Sequence, residues 1–346
     1  MNRQPLIHIT DLYHPPQDPD DHFDLATIYA LPELDLKAIL LDATKPFLLG
    51  DPGKDHPRDP GFVPVMQMNA ITGRAVPVAT GPITPLKSRD DPATDRPQSE
   101  QAAIHLLLKV LEESTEPVQI SVVGSLRILS AAFNRNPDLL RQKTAAVLLN
   151  AGASIERDDE WNVMLDQHAW ECLLQSGLRV HWYPCTGPNG PFGWSSSNTF
   201  WQAPHKQLLP ELSPKLRAWF HYAYTGSSRG DCIRALNELG AGTSWNTLLH
   251  EMRSFWSTAS LVMAADRVLA RTSAGWRFIP QKEVSTGMEL HPWSLNPVDL
   301  EMLHDGMVRW SQHDPTSPSQ FYLFERADEP YHEAMAEALT ELLKTL

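Results

Sequence analysis

Short apolar runs and helix-spaced apolar positions alternate along the first half of the chain. Leu6 to Thr10 reads as a buried strand. The next segment, 20–31, sets Phe23, Leu25, Ala26, Ile28, Tyr29 and Ala30 at helical spacing until Pro32 ends the pattern. Leu34 to Leu41 predicts a second strand, 63–73 a helix and 76–80 a strand. Residues 98–113 predict an amphipathic helix that Ser99 can cap. Further strands are predicted at 118–123, 144–149 and 179–183, with helices at 126–133 and 160–177 between them. Repeated strand–helix–strand of this kind predicts an α/β fold: an open, mostly parallel sheet with helices on both faces and a Rossmann-like core. In such sheets ligands bind beyond the carboxyl ends of the strands.

The second half reads differently. Residues 186–205 are rich in Gly, Pro, Ser and aromatics, too long for a plain connector. Segments 208–224 and 231–270 read as mostly helical, 276–284 as a hairpin strand, and 328–346 as a closing helix with Asp328 as its cap. The Pro- and Asp-rich stretch 50–60 reads as an insertion loop. The whole is expected to be one domain over 1–346, with an α/β core at 1–186 and a mainly helical portion at 187–346 that completes the site.

Composition narrows the function. Acidic residues outnumber basic ones 42 to 29, a formal charge of −13, which argues against a broad phosphate-neutralising face and hence against nucleic-acid partners. Three scattered cysteines, Cys172, Cys185 and Cys232, form neither a disulfide framework nor a zinc pattern. No apolar run is long enough to span a bilayer, and the N-terminus lacks a signal pattern, so a cytoplasmic enzyme acting on a small molecule is the expectation.

The most informative segment joins the first strand to the first helix. Asp11, Asp18, Asp20, Asp21 and Asp24 fall within fourteen residues. Carboxylates this close repel one another unless a cation lies among them, and hard divalent cations seek several converging oxygens. Asp-rich loops also cap helices and build turns, so Asp20 or Asp21 can serve in that way instead.

These residues resemble the signature of the calcium-dependent, inosine-uridine-preferring nucleoside hydrolases, a strand followed by Asp-x-Asp-Pro-Gly-x-Asp-Asp and a helix. Here the pattern is stretched, with Asp11 at the strand end and Asp18-Pro-Asp-Asp after an insertion. Further likenesses follow in order: Pro77 to Leu86, Gly124-Ser-Leu-Arg127, Asn150 to Ala153, and Glu160-Trp-Asn162 with Asp166. The resemblance covers roughly residues 6–186 and is faint beyond about 240.

The resemblance implies hydrolysis of the N-glycosidic bond of a ribonucleoside or related ribosyl compound by a metal-activated water. It implies Ca2+ as cofactor, with Asp11, Asp18 and Asp21 as ligands and a backbone carbonyl at Arg127. Asp18 or Asp20 is the implied base. Asp20, Glu160 and Asn162 would bind the sugar, although Glu160 and Asn162 also suit helix capping. A homodimer or homotetramer is implied as well. Where the family carries a late His-Asp pair, this chain has Trp256-Ser257. A serine is a weak ligand and a tryptophan no acid, though Trp256 could stack on a ring. His22, His250, His304-Asp305 and His313-Asp314 are the alternative sources of acid or ligand. A non-catalytic sugar- or nucleoside-binding protein, or a hydrolase of another glycoside, therefore stands beside the first reading.

Overall fold

A computed structural model describes residues 3–50, 56–225, 229–314, 316–327 and 330–346. The first six strands are β1 (Gln4–Thr10), β2 (Leu34–Leu41), β3 (Val78–Thr80), β4 (Val118–Val123), β5 (Thr144–Asn150) and β6 (Val180–Trp182). Two short strands, β7 (Trp201–Pro204) and β8 (Met252–Phe255), pair with each other. Then come β9 (Arg267–Thr272), β10 (Gly275–Pro280) and β11 (Glu289–Leu290), which form a small antiparallel sheet. The last three, β12 (Trp293–Met302), β13 (Val308–Gln312) and β14 (Phe321–Arg326), return to the main sheet.

That sheet has nine strands in the order β13-β12-β14-β6-β5-β4-β1-β2-β3. From β3 through β14 every neighbouring pair is parallel, and β12 alone runs antiparallel to its two neighbours. Its strands are buried on both faces, so successive side chains feed two cores. Leu6, Ile39, Leu41 and Leu148 pack with Phe23, Ile28, Leu261 and Met335 on one face. Ile7, Ile9, Leu40 and Val147 pack with Ile104, Leu107, Leu129 and Trp170 on the other. Helices Asp21–Ala30, Thr258–Ala264 and Tyr331–Leu343 cover the first core, and helices Gln98–Glu113, Arg127–Arg135 and Gln167–Leu174 the second. The predicted α/β architecture is the observed one.

The mainly helical portion expected for 187–346 is corrected: β7 to β14 all lie there. The 231–270 stretch holds three short helices and the strands β8 and β9 rather than a mostly helical run. β12, not anticipated from the sequence, alternates as Trp293 and Leu295, then Val298, Leu300 and Met302 one step out of phase across Pro297. The proline sits where β12 pairs only with β14, before β13 joins at Val298, so no ladder hydrogen bond is lost. The helix expected over 160–177 is broken in two at Asp166, which leaves helical geometry (φ −161°) and caps the second piece by accepting from Ala169 N at 3.0 Å. Ser99 makes no capping bond, because helix Gln98–Glu113 begins one residue after Pro97, its N-cap. The closing helix spans Tyr331–Leu343, and the proposed Asp328 cap lies outside the described residues, as do residues 51–55 of the expected insertion loop.

Candidate active site

In this sheet the strand order reverses between β1 and β4, and the crevice beyond the carboxyl ends of such strands is where open α/β sheets bind ligands. A cavity of about 470 Å³ opens there. Asp11 enters it directly from the end of β1. Its backbone N–H donates to Val123 O at 3.2 Å, which ties the aspartate loop to the end of β4. Asp18 reaches the cavity from the loop, and Asp20, Asp21 and Asp24 from the start of helix Asp21–Ala30. Asp20 occupies the N-cap position but makes no capping hydrogen bond, so its carboxylate is not committed to the helix end.

Burial sets the electrostatics. Desolvation first, then the charges of Asp18 and Asp42, holds Asp11 well above the usual carboxylate range. Asp20 is raised by burial and then by Asp18, and Asp21 by burial and then by Asp11 and Asp18. Asp24 is pushed up to about 7 by burial, with the Ser257 hydroxyl partly offsetting it and Asp18 adding to it. Ser257 Oγ donates to Asp24 Oδ2.

A fit to a divalent cation can be judged on these groups. Among the described residues no three His, Cys, Asp or Glu side chains are gathered closely enough to hold a metal ion as they stand. The donor set nevertheless has the chemistry a hard cation takes: five carboxylates on one cavity, and no Lys or Arg ion pair to any of them among the described residues. One of their oxygens, Asp21 Oδ2, is buried with no hydrogen-bond partner. An orphaned carboxylate oxygen in a repelling cluster is costly without a cation or a proton.

The opposite wall comes from the loops after β5 and β8. Glu160 Oε2 accepts from Gly152 N at 2.8 Å and Val163 N at 3.0 Å, so it caps helix Trp161–Leu165 while lining the cavity. Asn162 Nδ2 donates to Asn150 O at 3.0 Å. Gly152 has φ +83°, and a Cβ on it would stand 2.7 Å from the Trp170 ring. Gly152→Ala is expected to cost about 1–3 kcal/mol through backbone strain and overlap. A fall in the urea midpoint at unchanged slope would register it, and an unchanged midpoint would contradict it.

Trp256 faces the cavity, with its ring 5.4 Å from those of both Phe192 and Phe200 and its Nε1 donating to Pro191 O at 3.1 Å. Ser257 lies next to it. Thus the Asp-loop residues Asp11, Asp18, Asp20 and Asp21 meet Glu160, Asn162, Trp256 and Ser257 in one place.

Arg127, expected to offer only its backbone carbonyl, keeps its side chain away from them. Its side chain is fully buried outside the cavity, with Nε 3.1 Å from Asp166 and further donations to Ala43 O, Pro82 O and Leu165 O. The guanidinium acts as an interior clamp between loops. None of the alternative histidines lines the cavity. His22 is buried against Trp219 and Tyr224, and burial lowers its pKa well below the usual value. His250 is exposed. His304 pairs with Asp305 at 3.0 Å on the surface, and His313 with Asp299 at 2.7 Å. Sequence reasoning gave no individual site role to Asn150 or Phe192, and counted Asp24 only as one of the five clustered aspartates. The readable signal for Asn150 was a polar side chain closing an otherwise apolar strand.

The fold and the site together define an α/β protein with a carboxylate-lined cavity at the switch point of its sheet. No protein-family profile matches the chain. Over 181 residues it is 30% identical to the pyrimidine-specific ribonucleoside hydrolase RihA of Citrobacter koseri, covering 46% of this chain and 55% of that protein. RihA of Salmonella newport is matched at 30% over 182 residues, with the same shares. The chain thus spans about half the length of these curated relatives. Among solved structures, an inosine-guanosine nucleoside hydrolase superposes with a TM-score of 0.58 at 14% identity, covering 99% of each chain. The plant nucleoside hydrolase PpNRh1 gives 0.55 at 16% identity, also over 99% of each. The chain has the nucleoside-hydrolase fold and is similar in sequence, over part of its length, to the RihA hydrolases.

Proposed function

We propose that the chain hydrolyses the N-glycosidic bond of a ribonucleoside or related ribosyl compound with the help of a divalent cation, calcium in the first instance. The observation that carries this reading is the meeting of five aspartates, Glu160, Asn162 and the Trp256 ring on one cavity at the strand-order reversal. A bound cation would supply a water of lowered pKa and a Lewis acid for a sugar diol. Asp11, Asp18 and Asp21 would hold it.

The chain's own groups do the rest. Asp18 or Asp20 accepts the proton of the attacking water. Glu160 and Asn162, fixed by their bonds to the backbone of the 150–163 loop, hydrogen-bond sugar hydroxyls. Fixed carboxylates facing the sugar stabilise the positive charge that develops on the ring in an oxocarbenium-like transition state. Trp256, braced by Phe192 and Phe200, presents a ring face to the departing base. Trp256→Ala is expected to raise KM about tenfold, since aromatic–base stacking contributes roughly 1–3 kcal/mol. An unchanged KM across nucleosides would remove Trp256 from substrate binding.

The same reading makes the protein a cytoplasmic dimer or tetramer, which mass measurement in solution checks. No helix among the described residues is long and apolar enough to cross a membrane.

The test is incubation of the full chain with calcium and a panel of purine and pyrimidine nucleosides, with free ribose and base quantified. Release of ribose supports the reading. A second reading, a binding protein on the same fold, is favoured by one observation: among the described residues no histidine lines the cavity to protonate a leaving base. Thermal stabilisation by nucleosides or ribose with no product selects it, and neither product nor stabilisation defeats both.

A further inference from the structure

The first turn of helix Asp21–Ala30 sends two carboxylates, Asp21 and Asp24, into the cavity. Asp24 lies four residues after Asp20 and three after Asp21, so the three carboxylates share one helix face, and all three line the cavity. Asp24 is only 2% exposed. It is the member of the cluster that has a dedicated support from across the cavity.

That support is a chain of buried polar groups. Ser257 Oγ donates to Asp24 Oδ2, joining two residues 233 positions apart. Ser257 stands at the N-cap of helix Thr258–Ala264 yet makes no capping bond, so its hydroxyl is committed to Asp24. Ser260 Oγ sits 2.7 Å from Ser257 O and 2.6 Å from Asn150 Oδ1, its one proton shared between them. Asn150 Nδ2 in turn donates to Trp256 O at 3.2 Å. Ser257, Ser260 and Asn150 are all buried. A network of this kind fixes one oxygen of Asp24, which lines the same cavity as Asp21, whose Oδ2 is buried with no hydrogen-bond partner.

We propose that Asp24 is a ligand of the divalent cation, contributed from the same first turn of helix Asp21–Ala30 as Asp21, and that Ser257 is its positioning residue. The proposal rests on the cation-dependent reading above and adds to it a ligand and the group that aims it. Ser257 does not touch the ion; it restricts the rotation of the Asp24 carboxylate, so that less freedom is lost on binding.

Calcium affinity of the purified full chain, by isothermal titration calorimetry after chelation, tests this without reference to turnover. Asp24→Asn is expected to weaken calcium binding at least tenfold. Ser257→Ala is expected to weaken it a few-fold. The exchange Asp24→Ser with Ser257→Asp, which moves the carboxylate to the opposite end of the same contact, is expected to recover most of the loss. Far-UV circular dichroism and the calcium-free melting temperature monitor folding. Asp24→Asn removes one charge from a repelling group, so its calcium-free melting temperature should not fall. Wild-type affinity in Asp24→Asn overturns the ligand assignment while leaving the cation site standing. Absence of calcium binding in the unaltered chain overturns the cation site and this assignment together.

Discussion

Calcium is expected to raise the melting temperature of the chain strongly at pH 8 and little at pH 5. The sign follows from the aspartates. Asp11, Asp20, Asp21 and Asp24 all titrate above the usual carboxylate range in the folded state, chiefly through burial, and Asp24 does so at about 7. A carboxylate whose folded pKa exceeds its unfolded value binds protons more tightly when folded. Its stabilising protonation is present at low pH and is lost as pH rises from about 4 to about 7. For Asp24 alone the loss is on the order of 4 kcal/mol, taking about 1.4 kcal/mol per pKa unit. A cation replaces the departing protons and offsets that loss. At a hundredfold excess over its Kd it contributes about 2.7 kcal/mol.

Buried histidines act in the opposite sense. His8 at about 3, and His181 and His205 at about 4, are depressed by desolvation, so their contribution is lost as pH falls below about 6.5. That contribution is the same with and without calcium, so the difference between the two melting curves isolates the aspartates. Paired calorimetric scans in calcium and in chelator, from pH 5 to 8, make the measurement. A calcium-induced shift that is flat with pH would mean that the carboxylates do not exchange protons for the ion.

Asp18→Asn or Asp20→Asn is expected to lower kcat by about 10²–10⁴, the usual contribution of a positioned general base. Asp20 is buried at the uncapped helix start, and Asp18 is half-buried in the loop before it. Both face the cavity. The base is the one whose replacement lowers kcat while calcium affinity stays within a few-fold. The other, if it is a ligand, loses calcium affinity in parallel with rate. Steady-state kinetics at saturating calcium, paired with calorimetric calcium titration, separates the two. Near-native kcat in both variants would remove the base from this loop altogether.

Legibility along the chain followed the strength of local pattern. β2, β4 and helix Gln98–Glu113 were readable to the residue because each is a sustained run with one period and a clear stop. Of β9 to β14 only β10 was anticipated, by the hairpin strand expected at 276–284, because the others carry polar residues on an open face or, in β12, break phase at Pro297. The aspartate loop was readable as a charge density that needs an explanation. For Arg127 the motif position named only a backbone carbonyl and said nothing of where its side chain turns. Its partner Asp166 is thirty-nine residues away.

By itself the sequence determined the α/β class and the concentration of acid after the first strand, since hydrophobic period and local charge act between near neighbours. Only the tertiary structure decided which acids share a cavity, that Ser257 reaches Asp24 across the molecule, and that Arg127 turns inward to Asp166. The physical reason is that a carboxylate's partner is set by what the fold brings within hydrogen-bond reach, and chain separation carries no record of that distance.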